Sequence, residues 1–421
     1  MTARMNRRIY GMLSKRLDEA DFDQVHDGRD DRGKRWKLPA VLRSVVGATL
    51  AGAQSLAQVE AMSARLATPI RRLLGIQRRL PDTTLRNVLC TIEPNHVRKP
   101  LHGLIRRAYR RKALEPDELP FGMVSLDGKH FSIAGCDDWY AQRQSQNETA
   151  PLVGVVRTVT ATLTSHRARP IIDTVPIPAP TNEMGVFETA LDAVCKAYDG
   201  LELFQLVSYD AGACSAHNAQ AVRQRDLHYL FGLTRAQPTL FEEAQRWLGG
   251  CQPEQADAST EDLERGRRIV RRLYLGNVTV ELDGWEHLRT VLRVETETFN
   301  SDGRSVECVN RYLISSLPRC RLSDQHWLVA ARRHWGVETS HQILDTAFAE
   351  DEHPWIESHP RAAVVAAILR RIAYTILTLF RSVTQRSEER RHTPWKQLIA
   401  EVWLAFVTML APRNPARPQL Q

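Results

Sequence analysis

From Leu38 to about Lys112, apolar residues recur at steps of three and four through LPAVLRSVVGATLAGA, SLAQVEAMSARL and PDTTLRNVLCTI. That period gives a helix one apolar face, so the stretch predicts several helices that bury those faces against each other. Pro39, Pro69, Pro81 and Pro94 cut the pattern into short helices, and a helical domain over residues 1–115 follows. The prolines and acids of EPDELP, 115–120, read as a linker.

Beyond the linker the period changes. FGMVSL (121–126) predicts a short strand ending at Asp127, and LVGVVRTVTATL (152–163) and RPIIDTVPI (169–177) are β-branched runs bounded by turn formers. VFETALDAVCKAY (186–198) has the period of an amphipathic helix, and LFQLVSYD (203–210) that of a strand ending at Asp210. SAHNAQAVRQR reads as a further helix and LHYLFGL as a further strand. Three strands, then helix, strand, helix, strand, predict a mixed α/β sheet over residues 120–237.

Residues 238–322 read as a β-rich insertion with strands at NVTVELD, RTVLRVETET and VECVNRYLISS, preceded by the basic run ERGRRIVRR. Residues 323–410 return to helical spacing. Arg332–Asp351 predicts one helix, with Trp335, Ile343, Leu344, Ala347 and Phe348 on its apolar side and Glu338, His341 and Asp345 on its polar side. The longest apolar run, 362–380, carries Arg370 and Arg371 at its middle, where lipid would penalise them, so it predicts a buried helix and no membrane partner. A Pro-rich tail, 411–421, is expected to be flexible.

Composition narrows the class. With 421 residues, 43% hydrophobic and 25% charged, the chain can build a large core without staples. Seven cysteines, an odd number with no CxxC pair, argue against a disulfide framework or a zinc ribbon and for a reducing, cytoplasmic setting. Arg4, Arg7, Arg8, Lys15 and Arg16 make the first residues a basic helix in place of a secretory signal. Net charge is +8, yet residues 1–120 hold 24 Lys and Arg against 13 Asp and Glu, so the surplus is amino-terminal. Such an asymmetry points to a polyanion, with nucleic acid the favoured partner.

Asp127 and Asp210 end predicted strands, and in α/β sheets strand ends border the ligand crevice. With Glu338 from a helix they could supply the clustered oxygen ligands that hard cations such as Mg²⁺ require. A plain structural alternative exists for each: Asp127 as a turn residue, Asp210 as a helix cap, Glu338 as a solvated position.

Ordered motifs along the chain resemble those of the ISAs-type, or H-repeat-associated, insertion-sequence transposases, within the DDE group. DDRGKRWKLPAVL (30–42) with PDTTLRNVL resembles that family's helical associated domain, and VSLDGK (124–129) its first acidic motif. TRAQPTLFE (234–242), GRRIVRR (266–272) and RYLISSL (311–317) resemble the segments that follow the second acid. HWGVE (334–338) with LDTAFAED (344–351) resembles the third motif. The resemblance implies a ribonuclease-H-like core with Asp127, Asp210 and Glu338 as a catalytic triad that holds two Mg²⁺ ions, with Mn²⁺ as a substitute. It also implies DNA cleavage and strand transfer by a homodimer on paired DNA ends, in a prokaryotic cytoplasm and on its nucleoid. The partners would be double-stranded terminal repeats and target DNA, with Lys129, Arg332, His334, Arg267, Arg268 and Arg271 as candidate DNA contacts. A structure-selective nuclease without strand transfer, a silent DNA-binding descendant and a structural protein with a basic arm are the competing readings.

Overall fold

The computed structural model describes residues 3–136, 139–145, 152–264, 266–280 and 282–409. Arg265 and the tail at 411–421 lie outside the described residues. The chain is mixed α/β, with helices first, a mixed sheet in the middle and helices last. It divides into two compact units: Met1–Arg107 with Phe131–Val156 and Ile343–Gln421, and Ala108–His130 with Arg157–Gln342.

The first unit holds helices α1 (Ala3–Ala20), α2 (Leu38–Leu50), α3 (Leu56–Arg65), α4 (Thr68–Leu74), α5 (Asp82–Thr91) and most of α6 (Pro94–Arg110). Leu38, Val41, Leu42, Val45, Val46 and Leu50 of α2 are buried, as the apolar period requires. The long apolar run forms a helix, Pro360–Leu379, that packs on α2 and α5. Within its membrane-length stretch, Pro360–Thr384, the most apolar 18-residue window is wholly buried in protein. Arg371 lies within this interior with Nη1 2.5 Å from Glu350 Oε1, and Arg370 approaches the same oxygen at 3.7 Å. Shared hydrogen-bonded charge is how an apolar helix keeps two buried guanidinium groups.

The second unit is built on the sheet. Strand β1 (Met123–Ile133) neighbours β3 (Val153–Leu163), and β4 (Ile171–Pro176) pairs antiparallel with β3. In the first unit the short β2 (Ala141–Gln144) pairs with Val153–Val156. Helix α7 (Phe187–Ala197) leads to β5 (Leu206–Tyr209), parallel to β1, and α8 (Ala216–Arg223) leads to β6 (His228–Leu233), parallel to β5. After α9 (Pro238–Leu248), strands β7 (Ala258–Glu264), β8 (Arg267–Asn277), β9 (Thr290–Phe299) and β10 (Ser305–Ser315) continue the same sheet. β10 joins antiparallel to β6, so the order runs β3-β1-β5-β6-β10-β9-β8-β7. Helices α10 (Asp324–His334), α11 (Gly336–Phe348), α12 (Pro360–Leu379), α13 (Glu388–Arg391) and α14 (Trp395–Thr408) complete the chain.

Four expectations are corrected. β1 does not end at Asp127 but runs six residues further, to Ile133. NVTVELD contributes only Asn277 to a strand, and the basic run itself forms β8. Its arginines are neutralised across the sheet: Arg268 by Glu261, Arg271 by Asp262 and Glu264, Arg272 by Glu295 and Glu297. Opposite charges on facing strands let a charged segment sit inside a sheet. Helix α9, over PTLFEEAQRWL, lies where no helix was expected, with Pro238 at its start and Leu240, Ala244 and Leu248 buried. Finally, Arg332–Asp351 is two helices, broken at Trp335. Gly336, the first residue of α11, lies so close to Thr164 that a Cβ there would stand 3.0 Å from its Cγ2.

Candidate functional site

The parallel register of β1 and β5 pairs Met123 with Leu206, Val124 with Val207 and Ser125 with Ser208. Two residues beyond the last pair on each strand stand Asp127 and Asp210, near enough for the charge of Asp127 to act on Asp210. Buried hydroxyls lock the strands beneath them. Ser125 Oγ lies 2.7 Å from Ser208 Oγ and 2.8 Å from Thr164 Oγ1, and His334 Nδ1 lies 3.1 Å from Ser208 Oγ.

Each acid has its own support. His341 Nδ1 stands 3.2 Å from Asp127 Oδ2, from the same helix turn sequence that carries Glu338. Asp210 accepts a 2.9 Å hydrogen bond from the Gly212 N–H, so it does cap the short turn after β5 while pointing to solvent. Glu338 lies in the first turn of α11, where the helix dipole favours a carboxylate.

A fourth acid, Glu183, joins them. It lies between β4 and α7, and the Tyr209 hydroxyl donates to its Oε1. Its carboxylate covers Gly128, the neighbour of Asp127: a Cβ at that glycine would fall 1.8 Å from Glu183 Oε2. A side chain at 128 would therefore displace the end of the Glu183 side chain. Phe187 of α7 meets Tyr209 edge-on at 5.2 Å and holds the phenol in position.

The electrostatics show one shared negative field. Burial pushes Glu183 up from its ordinary value; the Tyr209 hydrogen bond opposes this, and Asp127 and Asp210 add to it. Although Asp210 and Glu338 keep solvent contact, the surrounding protein removes enough water to raise both, and Asp127 raises both further. Gly212 and Arg311 oppose those shifts at Asp210 and Glu338, respectively. Mutual repulsion among acids is the field that a bound cation would relieve. Among the described residues, no three His, Cys, Asp or Glu side chains are already close enough to cage a metal.

The candidate DNA contacts divide. Lys129 is buried in β1, and its carbonyl accepts from Thr158 Oγ1 at 3.4 Å. His334 is buried and driven down to about 4 by burial, so near neutral pH it is an uncharged packing group against Trp335, in place of a cation. Arg332 belongs to α10, not to Glu338's helix, and pairs with Asp262 at 3.0 Å. Arg268 and Arg271 are occupied on β8, five strand steps from β1, on the order of 25 Å at about 4.8 Å per step. Arg267 is exposed on the same strand. The structure thus does not bring Arg267, Arg268 and Arg271 to the carboxylates.

Arg311 is the cation that sequence reasoning missed. It lies on β10 with its guanidinium 4.6 Å from the centre of the Trp335 ring, and its field reaches Glu338. Together with Asp210, Gly232, Arg235, Phe241 and Trp335 it lines a cleft of about 500 Å³. Pairing of β10 with β6 creates this wall, and that long-range pairing left no local trace in RYLISSL. Glu183 had a fainter signal, an acid between a predicted strand and a predicted helix.

Comparison with protein families finds the family described as DDE_Tnp_1-associated over residues 20–104, which points to a DDE-type transposase family. A comparison of the chain with characterised proteins found no match.

Proposed function

We propose that the protein is a DNA transposase of the ISAs type, with a ribonuclease-H-like catalytic core in its second unit. The observation that supports this reading is the parallel pairing of β1 and β5, each followed two residues on by an aspartate, Asp127 or Asp210, whose charges both act on Glu338. The transposase-associated segment at residues 20–104 supports it independently. The β4-β3-β1-β5-β6 arrangement, three strands followed by two parallel strands reached through helices, agrees with such a core.

The donor set suits Mg²⁺ or Mn²⁺: carboxylate oxygens from Asp127, Asp210 and Glu338, whose crowding raises the last two. Asp210 and Glu338 are exposed, so a metal ion could reach both from solvent. Bound there, divalent ions would supply charge stabilisation at the reacting phosphate.

The protein's own groups orient the reaction. His341 holds Asp127, Gly212 holds Asp210, and Arg311 with the cleft beside Asp210 receives the negatively charged strand. Water attacks phosphorus at the element end; a new P–O bond forms, the old ester bond breaks, and a 3′-hydroxyl leaves. That hydroxyl then attacks a target phosphodiester, displacing the target's own 3′-oxygen, so no covalent protein intermediate is needed. Two chains on two paired ends, working in the cytoplasm on nucleoid DNA, would bring the reacting groups together.

The test is a cleavage and joining assay with element-end duplexes, target DNA and Mg²⁺ or Mn²⁺. Metal-dependent nicking and joined products are expected. Asp127→Ala, Asp210→Ala and Glu338→Ala should each lower both by about a thousandfold or more. Cleavage without joined products would instead favour a nuclease, and cleavage that survives all three changes would overturn the assignment.

A further inference from the structure

The transposase-associated segment contains a second cleft, of about 930 Å³, lined by Asp23, Arg35, Trp36, Lys37, Arg43 and Arg78 among others. Four cations face it against one acid. Three of the four, Arg35, Lys37 and Arg78, are exposed. Asp23 is only loosely engaged, 3.6 Å from Arg43, and Arg43 Nε is buried with no hydrogen-bond partner. An enclosed small-molecule site is mostly apolar, whereas this cleft is open and charged, which suits an extended polyanion.

The cleft is built, not incidental. Arg29 grips Asp27 through two 2.8 Å contacts and donates to the Trp36 carbonyl at 2.8 Å, which pins the loop that carries Arg35, Trp36 and Lys37. On the opposite wall Gly75 ends α4 at φ +76°, beside Ala40, and turns the chain so that Arg78 returns across the mouth of α2. The Arg78 guanidinium lies 5.3 Å from the Trp36 ring centre, so the indole sets its direction. Neighbouring arginines are engaged elsewhere: Arg71 with the Ala64 and Leu66 carbonyls, Arg79 with Glu60.

We infer that this cleft clamps the sugar-phosphate backbone of duplex DNA, with Arg35, Lys37 and Arg78 on phosphates and Trp36 as the positioning residue for Arg78. The choice of DNA over other polyanions rests on the transposase reading; the cleft itself stands on its geometry. Phosphate contacts carry no sequence code, so a mixed-sequence duplex is a sufficient probe.

The experiment measures binding of the full chain to a mixed-sequence duplex of about 30 base pairs at several salt concentrations, on the order of 50 to 200 mM. The variant R35Q/K37Q/R78Q is compared with R361Q/R386Q/K396Q, which removes the same charge from exposed positions outside the cleft. The cleft variant should bind at least about tenfold more weakly, and its slope of log affinity against log salt should fall by about 2 to 3, near 0.9 per lost contact. Trp36→Ala should weaken binding and Trp36→Phe restore most of it. Unchanged thermal midpoints show that the variants fold. Equal behaviour of the two triple variants, or no duplex binding by the wild-type chain, would overturn the clamp. Cleft-dependent binding without metal-dependent cleavage would overturn the transposase reading and leave the clamp standing.

Discussion

Asp127 and Asp210 each stand two residues beyond Ser125 and Ser208, the last paired residues of two neighbouring parallel strands. Their 83-residue separation in sequence is the same as that of the serines, so their placement follows from backbone hydrogen bonding and not from the acids themselves. Carboxylates held together this way repel.

Divalent metal should therefore stabilise the protein. At tenfold excess over its dissociation constant, Mg²⁺ should add roughly 1.4 kcal/mol to unfolding, visible as a rise in thermal midpoint. In Asp127→Ala and Asp210→Ala that rise should shrink or vanish. An equal rise in both variants would show that the ion binds elsewhere.

Gly128→Ala tests Glu183. The added methyl would meet the end of a flexible side chain, so the fold should survive with a loss of about 1 kcal/mol or less. Glu183 must move, however, and leave the Tyr209 hydroxyl. DNA cleavage should fall several-fold or more while DNA affinity holds. Full activity would mean that Glu183 takes no part.

Acid should weaken the second unit through His334. Burial depresses its folded value to about 4 from an ordinary 6.5. Between those values the unfolded chain binds a proton that the folded chain refuses, so the stability contribution is complete above about pH 6.5 and disappears toward pH 4. The linkage is of order 3 kcal/mol. Chemical denaturation from pH 7.5 to 4 should show this decline, and His334→Gln should flatten it. His166 and His228, also depressed to about 4 chiefly by burial, should keep part of the slope in that variant.

Glu350→Ala should destabilise the first unit by about 3–5 kcal/mol, because Arg370 and Arg371 would remain charged in an apolar interior. Replacing Arg371 with Met as well should recover part of the loss. Denaturant melts of the single and double variants provide the comparison.

Much of this was legible along the chain where periodicity is local. The two β-branched runs, helix α7 over VFETALDAVCKAY and strand β5 before Asp210 follow directly from spacing. The break at Trp335 was not, because the apolar period of Arg332–Asp351 runs on across it, while the close approach of Gly336 to Thr164, over 170 residues away in sequence, exists only in the fold. β8 was missed for a related reason: its arginines look soluble until Glu261, Asp262, Glu295 and Glu297 appear on both flanking strands. Asp127, Asp210 and Glu338 could be singled out as residues, but Arg311 and Glu183 acquire meaning only when β10 meets β6 and Glu183 covers Gly128.

The ion-paired arginines of β8 also alter how the chain's charge should be understood. Arg268, Arg271 and Arg272 are matched within the sheet, so they add little to the field felt at a distance. Under the proposed function, the unmatched positive charge that attracts DNA is that of the amino-terminal segment, residues 1–120. Encounter and chemistry would then be assigned to different parts of the molecule, the first fast and salt-dependent, the second set by the alignment of two strands.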